Sequence, residues 1–151
     1  MKVRMRADQA AALSVGTELG ASLPRAISQS EVDRFAQTTG DTQWIHTDPQ
    51  RASEGPYGGT VLHGYLILSL LPSLTREVID FSEHGAVINY GSERVRFVAP
   101  VRVGEPFIDT LRLAGVQARE SGRLFMLDHT VTAAETGEVH CVARTLALVT
   151  D

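Results

Sequence analysis

The stretch GYLILSLLPSLTREVI, from Gly64 to Ile79, constrains the fold of this chain more than any other. Tyr65, Leu66, Ile67, Leu68, Leu70, Leu71 and Leu74 point in nearly every direction around a helix. Such a helix has to be enclosed on most sides. The apolar run from Tyr65 to Leu71 is far shorter than the ~20 residues that span a bilayer. Pro72 removes the amide that would bond to the Leu68 carbonyl, and a bend or an early helix end is expected there.

The segments after Gly85 supply the wrapping. AVINYGSERVRFVAPV, PFIDTLRLAGVQA, GRLFMLDHTVTAA and EVHCVARTLALVT are rich in Val, Leu, Ile, Phe and Thr. Turn signals separate them at Pro100 to Pro106, Glu120 to Gly122 and Glu135 to Gly137, as expected for consecutive antiparallel strands. In the third segment Phe125, Leu127, Val131 and Ala133 share one face while Asp128, Thr130 and Thr132 share the other, so one sheet face packs and the other is wetter. The expectation is an α+β domain in which a curved antiparallel sheet wraps a long buried central helix. With 151 residues and no repeat, low-complexity tract or linker, residues 1–151 read as a single domain.

Composition narrows the function classes. Fourteen basic and eighteen acidic side chains give a net charge of −4, and no Lys/Arg run forms the stripe that neutralises a phosphate backbone, so no nucleic acid is expected as partner. The basic start is followed by an apolar stretch interrupted at Asp8 and Gln9, which does not read as a signal peptide. No membrane association and a cytoplasmic location are expected. The lone Cys141 excludes an intrachain disulfide and reads as an inert buried thiol.

The chemistry concentrates between Gly40 and Gly64. SQSEVDRFAQTTG, residues 28–40, reads as a short helix that Ser30 can cap and Gly40 stops, with Val32, Phe35 and Ala36 on its apolar face. Asp41 falls just past its end, and His46 lies five residues further on, a spacing that lets both side chains converge on one water. Taken by themselves, Asp41 can equally close a turn and His46 can be a satisfied, half-buried histidine. Gly64 then opens the buried helix with a free backbone amide able to donate to an oxyanion. An Asp, a His and an oxyanion donor are the parts needed to add water to, or remove it from, a bond conjugated to a carbonyl.

These residues resemble the signature of the MaoC-like, (R)-specific enoyl-CoA hydratase family of hotdog-fold proteins. Its pattern of an aromatic residue, Gly-Asp, a His three to five positions on and a small residue six further is filled by Phe35, Gly40, Asp41, His46 and Ala52. The resemblance continues through GPYGGTVLHGYLILSLL and VRFVAPVRVGE, over about residues 16 to 110. It implies that Asp41 and His46 form a catalytic dyad and that the Gly64 amide polarises a thioester carbonyl, for reversible hydration of trans-2-enoyl-CoA to (R)-3-hydroxyacyl-CoA in fatty acid metabolism. Coenzyme A is then carried by the substrate, and no cofactor or metal is expected. Two departures stand out. Gln43 and Trp44 replace an Asn-Pro pair, so the indole can reshape the loop or the pocket. Ser69 and Pro72 stand where many members carry an orienting serine.

Other residues admit weaker readings. His46, Asp48 and His63 lack a recognised metal-ligand pattern, and His63 reads as a buttress of the loop. His84, His129 and His140 show no partner motif. Arg94 and Arg96 share a strand face; Arg94 is the candidate for gripping coenzyme A phosphates, and a solvated ion pair with Glu93 is the competing reading. Trp44, Tyr57 and Tyr65 are candidates for an acyl tunnel. A homodimer is expected, because one such unit leaves an edge strand exposed. A hotdog acyl-CoA thioesterase and a non-catalytic acyl-thioester binding module are the competing functions.

Overall fold

A computed structural model describes residues 4–150; Met1 to Val3, part of the basic start, and Asp151 lie outside the described residues. In chain order the elements are β1 (Met5–Arg6), α1 (Ala7–Ala11), β2 (Glu18–Ala21), α2 (Gln29–Thr39), α3 (Trp44–Thr47), α4 (Pro49–Ser53), α5 (Gly64–Val78), β3 (Ile79–Asp80), β4 (Val87–Phe97), β5 (Phe107–Arg119), β6 (Gly122–Ala133) and β7 (Val139–Thr150). Five strands pair antiparallel in the order β2-β5-β6-β7-β4, and β1 pairs parallel with β3. The α+β hotdog arrangement expected from the sequence is present, with α5 as its central helix. No helix among the described residues is long and apolar enough to cross a membrane.

Alternation along β5 and β6 sets the inner face. Phe107, Leu111 and Leu113 pack beside Phe125, Leu127 and Val131, all essentially without solvent exposure, and α5 adds Leu66, Ile67, Leu71, Leu74 and Val78. Burying a side chain of this size contributes about 1.5–3 kcal/mol, so the helix–sheet contact dominates stability. That contact also explains why α5 does not end at Pro72. The helix runs on to Val78, because Leu74, Thr75 and Val78 are buried on the turns beyond the proline.

One further expectation needs correction. The helix cap is Ser28 rather than Ser30: Glu31 accepts from both the amide and the hydroxyl of Ser28, each at 2.8 Å, and α2 begins two residues earlier. The central helix α5 is enclosed on most sides, as expected, and one strip of it stays open. Tyr65 (72% exposed), Ser69 and Arg76 succeed one another at helical spacing along an uncovered strip. The edge strand β4 is uncovered as well, with Ile88, Tyr90 and Phe97 open to solvent.

Candidate active site

Three short structural devices bring the loop residues together. Gly40 ends α2 in the left-handed conformation (φ 79°), which turns the chain sharply and places Asp41 at the surface. His46 lies in the single turn of α3 and is only 8% exposed. His63 caps the start of α5 and is 2% exposed. A ring nitrogen from each histidine and a carboxylate oxygen of Asp41 all lie within 4.8 Å of one another. The sequence pair Asp41 and His46 is therefore a spatial pair, joined by His63.

The hydrogen bonds fix the state of the His46 ring. Its Nδ1 lies 2.6 Å from the Val61 carbonyl oxygen, and a carbonyl can only accept, so Nδ1 carries the proton and Nε2 keeps a lone pair. Burial holds the His46 pKa below its ordinary value; the Val61 bond opposes that, the neighbouring His63 adds to it and Asp41 opposes it. At neutral pH His46 is an uncharged base. Its main chain is anchored too: the Gln29 side-chain amide donates to the His46 carbonyl at 2.7 Å and accepts from the Thr60 hydroxyl at 2.6 Å. Neither Gln29 nor Thr60 is legible as a site residue in the sequence, because partners 17 and 31 residues apart leave no spacing signal.

His63 buttresses the loop as expected, donating from Nε2 to the Asp41 carbonyl at 2.9 Å. Its ring stacks on His46 with centroids 3.8 Å apart and planes at 24°, and Phe35 packs behind it at 5.0 Å. Asp41, His46 and His63, rather than the set with Asp48, are the residues placed to hold a metal ion; Asp48 caps α4 by accepting from the Arg51 amide.

Beside this cluster, Ile45, Val61, Leu62, Gly64, Ile67, Phe97 and Val101 line an open apolar cavity of about 400 Å³, with Tyr57 at its wall. The Gly64 amide, first in α5, has no protein acceptor among the described residues. A side chain at this position has no room: a Cβ on Gly64 would lie 2.6 Å from Phe97 Cδ2 and 2.8 Å from its Cε2 and Cγ. A second cavity, of about 280 Å³, lies at the other end of α5 among Arg4, Arg76, Asp80 and His84, away from the loop.

Several sequence candidates fall elsewhere. Trp44 and Tyr65 are not in the cavity wall: the Trp44 indole packs close to Gly55 and under the Arg51 guanidinium, 4.4 Å from the ring centre, while Tyr65 meets Phe97 edge-on at the surface. Arg94 lies exposed on β4 opposite Arg144, near the Asp128 carboxylate that Arg144 grips at 2.7 and 2.8 Å, and does not line the cavity. Cys141 is buried, and burial pushes its thiol up to about 11, with the Asp109 charge adding to the effect, so it is inert at neutral pH. His129 is no ordinary sheet position. Its Nδ1 meets Asp109 at 2.7 Å and its Nε2 meets the Thr145 hydroxyl at 2.8 Å, all between strands of the inner face. His140 is buried as well, with its Nε2 3.7 Å from Glu105.

A buried neutral imidazole, a nearby carboxylate and a free helix-opening amide beside an apolar cavity are groups that can move a proton and stabilise an oxyanion on an apolar ligand. The chain is 41% identical over 141 residues to a protein of Mycobacterium tuberculosis named 3-hydroxyacyl-thioester dehydratase Z, covering 93% of this chain and 92% of the relative. Among solved structures it resembles R-hydratase PhaJ1 from Pseudomonas aeruginosa (TM-score 0.73, 19% identity, 92% and 83% of the two chains). It also resembles an (R)-hydratase from A. caviae (TM-score 0.70, 23% identity, 91% and 97%). Those two likenesses establish the fold. The model of the MaoC like domain matches residues 10–136, a span that includes Asp41, His46, His63 and Gly64, and the chain belongs to the MaoC-like dehydratase family.

Proposed function

We propose that this chain is an (R)-specific hydratase of trans-2-enoyl thioesters, working reversibly as a 3-hydroxyacyl-thioester dehydratase. The observation that carries the reading is the buried, uncharged His46 with a ring nitrogen within 4.8 Å of an Asp41 carboxylate oxygen, next to an apolar cavity lined by Gly64 with its free amide. In the hydration direction a water held between Asp41 and His46 gives its proton to Nε2 as its oxygen bonds to C3. The electron pair of the C2–C3 double bond moves onto the thioester oxygen, where the Gly64 N–H stabilises it. Collapse of that enolate takes the proton from the His46 imidazolium to C2 on the same face, which returns His46 to its uncharged state and leaves one water added. Dehydration retraces these steps. Asp41 stays ionised and stabilises the imidazolium that forms on His46. The name borne by the Mycobacterium tuberculosis relative supports an acyl-thioester substrate, and the (R) product rests on the resemblance of the signature from Phe35 to Ala52 to the (R)-specific hydratases.

The uncovered edge supports pairing of two copies. Tyr65, Tyr90, Phe97 and Val98 are exposed around the cavity mouth and along the unpaired edge of β4, and a homodimer formed through this face covers them. Arg94, on the same strand, is the candidate contact for the carrier's phosphates.

Loss of the enoyl absorbance of crotonyl-CoA and longer enoyl-CoA esters, with chiral analysis of the product, tests the reaction. Repeating it with enoyl-acyl-carrier protein separates the two carriers. Asp41→Asn and His46→Gln are each expected to lower kcat by ~10²–10⁴-fold. Thiol release from saturated acyl-CoA without hydration would instead identify a thioesterase. Tight acyl-thioester binding with no turnover would identify a binding module.

A further inference from the structure

We propose that the Arg102 guanidinium, laid across the Gly58–Gly59 turn at the rim of the apolar cavity, takes the phosphate that adjoins the pantetheine arm of the substrate. This assignment rests on the thioester reading above. Coenzyme A and a phosphopantetheine-bearing carrier protein both present that phosphate at the same place.

Main-chain pairing sets Arg102 at the rim. It is bridged antiparallel to Val61, with the Leu62 amide donating to the Val101 carbonyl at 2.8 Å and the Val103 amide to the Thr60 carbonyl at 2.9 Å. Alternation along this short pairing buries Val101, which lines the cavity, and leaves Arg102 exposed. Tyr57 lines the cavity from the other segment, and Nη2 of Arg102 reaches the next residue, donating to the Gly58 carbonyl at 2.6 Å.

The turn is shaped to receive this group. Gly58 is left-handed (φ 65°), and a Cβ on Gly59 would lie 3.0 Å from Nη2 and 3.6 Å from Nε, so the two glycines keep the bed of the guanidinium clear. The side chain is not what joins the two segments, because the main-chain bonds already do so. Of its five N–H groups one is used, and the others have no protein acceptor among the described residues. Glu105, the carboxylate next in sequence, accepts instead from the Arg102 main-chain amide at 3.1 Å. Arg112, Arg123 and Arg144 each grip a carboxylate elsewhere on the surface; Arg102 meets none among the described residues. The Gly59 amide, in the same turn, has no protein acceptor among the described residues either. A forked cation beside a free main-chain donor is the chemistry that holds a phosphate. Arg94 occupies the face of β4 opposite Phe97, which packs on Gly64, so a phosphate held by Arg94 is not at this rim.

Titration of the protein with pantetheine and with phosphopantetheine, followed by NMR, isolates the phosphate and needs no turnover. Wild-type protein is expected to bind phosphopantetheine ~5–20-fold more tightly than pantetheine, the range for a charged hydrogen bond at a solvated site. Arg102→Gln should abolish that gap, and Arg102→Lys should restore part of it, since lysine keeps the charge without the fork. The same loss should appear with dephospho-CoA, which lacks only the ribose phosphate. In turnover, kcat/KM for crotonyl-CoA relative to crotonyl-N-acetylcysteamine, which carries no phosphate, should fall by the same factor in Arg102→Gln and do so through KM. A side chain that merely ties two loops would lower both values and leave the ratio alone. A matching fall with a crotonyl-carrier protein assigns the contact to both carriers, and a fall with crotonyl-CoA alone assigns it to coenzyme A. If wild-type protein hydrates no enoyl thioester, the hydratase reading fails while the titration still decides Arg102. Circular dichroism checks folding, and the lysine variant, with its partial loss, carries the test if the glutamine variant does not fold. No gap in wild type, a gap that survives Arg102→Gln, an unchanged ratio in turnover, or an effect confined to the ribose phosphate would overturn the proposal.

Discussion

Adding one methyl group at Gly64 tests where the oxyanion is held. Gly64 sits in ordinary helical conformation, so backbone strain plays no part, and Ala alone would stabilise a helix by roughly 0.5–1 kcal/mol over Gly. The opposing effect is steric. A Cβ 2.6 Å from Phe97 Cδ2 sits about an ångström inside the ~3.5–4.0 Å optimum for carbon contacts, and overpacking of this kind costs about 1–3 kcal/mol. Phe97 is 43% exposed and can move outward, which favours the low end. The net destabilisation expected is about 0–2 kcal/mol, or a fall in Tm of no more than ~8 °C for a domain of this size. Activity should suffer far more, because the methyl displaces the cavity wall beside the amide; loss of one oxyanion donor costs ~10²–10³-fold in kcat. Phe97→Ala makes room for the methyl, so Gly64→Ala/Phe97→Ala should recover the lost stability and part of the lost kcat, a coupling that a double-mutant cycle measures. Full wild-type kcat/KM in Gly64→Ala would refute the placement of the thioester carbonyl at this amide.

Other consequences can be checked in parallel. The acidic limb of kcat/KM should lie below pH 6.5, since burial lowers the His46 pKa and the base must be unprotonated. The same shift links to stability: the unfolded chain binds the His46 proton first, so this histidine's contribution falls as pH drops below its unfolded value and levels off under its folded one, visible as a declining Tm. His129→Leu strands the fully buried Asp109 carboxylate and should cost ~3–5 kcal/mol in denaturant unfolding, whereas Asp109→Leu/His129→Leu should cost much less. Arg94→Ala should raise KM for a coenzyme A ester severalfold with kcat unchanged; an unchanged KM would leave Arg94 as an exposed strand residue with no part in binding. Prolonged dialysis against a chelator should leave turnover intact, and a loss restored by a divalent ion would assign the Asp41–His46–His63 cluster to a metal.

The central helix and its wrapping are readable in the sequence because both rest on periodicity. Leu66, Ile67, Leu71 and Leu74 have to be buried somewhere, and alternation through Phe125, Leu127 and Val131 announces the face that buries them. Asp41, His46 and Gly64 are readable because they lie within 24 positions of one another on a loop whose ends the helices fix. The Asp109–His129–Thr145 set is not, since its members come from three strands and meet only once register is known. Pro72 misleads as a stop signal for a related reason: a local rule about a missing amide loses to the burial of Leu74 and Val78, which sequence position alone does not weigh. Tyr65 and Ser69 read as part of an enclosed helix because periodicity shows that an apolar surface needs cover, without showing whether one chain supplies it.

The substitution of Gln43 and Trp44 within the loop bears on how such a site tolerates change. A bulky indole next to the dyad would be expected to disturb it, yet Trp44 packs outward against Gly55 and Arg51, and Gln43 contributes its carbonyl to the α3 turn. What fixes His46 is the Val61 carbonyl at its ring, the Ile45 carbonyl accepting from the Val61 amide, and the Gln29 amide at its main chain. Two of those three contacts join main chain to main chain or ring to main chain, so side chains at 43 and 44 can vary while the imidazole stays put. Gln29 is the exception, a side chain on which the placement of His46 depends. Gln29→Leu should therefore lower kcat by more than Trp44→Phe, although Trp44 is the nearer neighbour in sequence, and the reverse order would mean that the indole holds the loop after all.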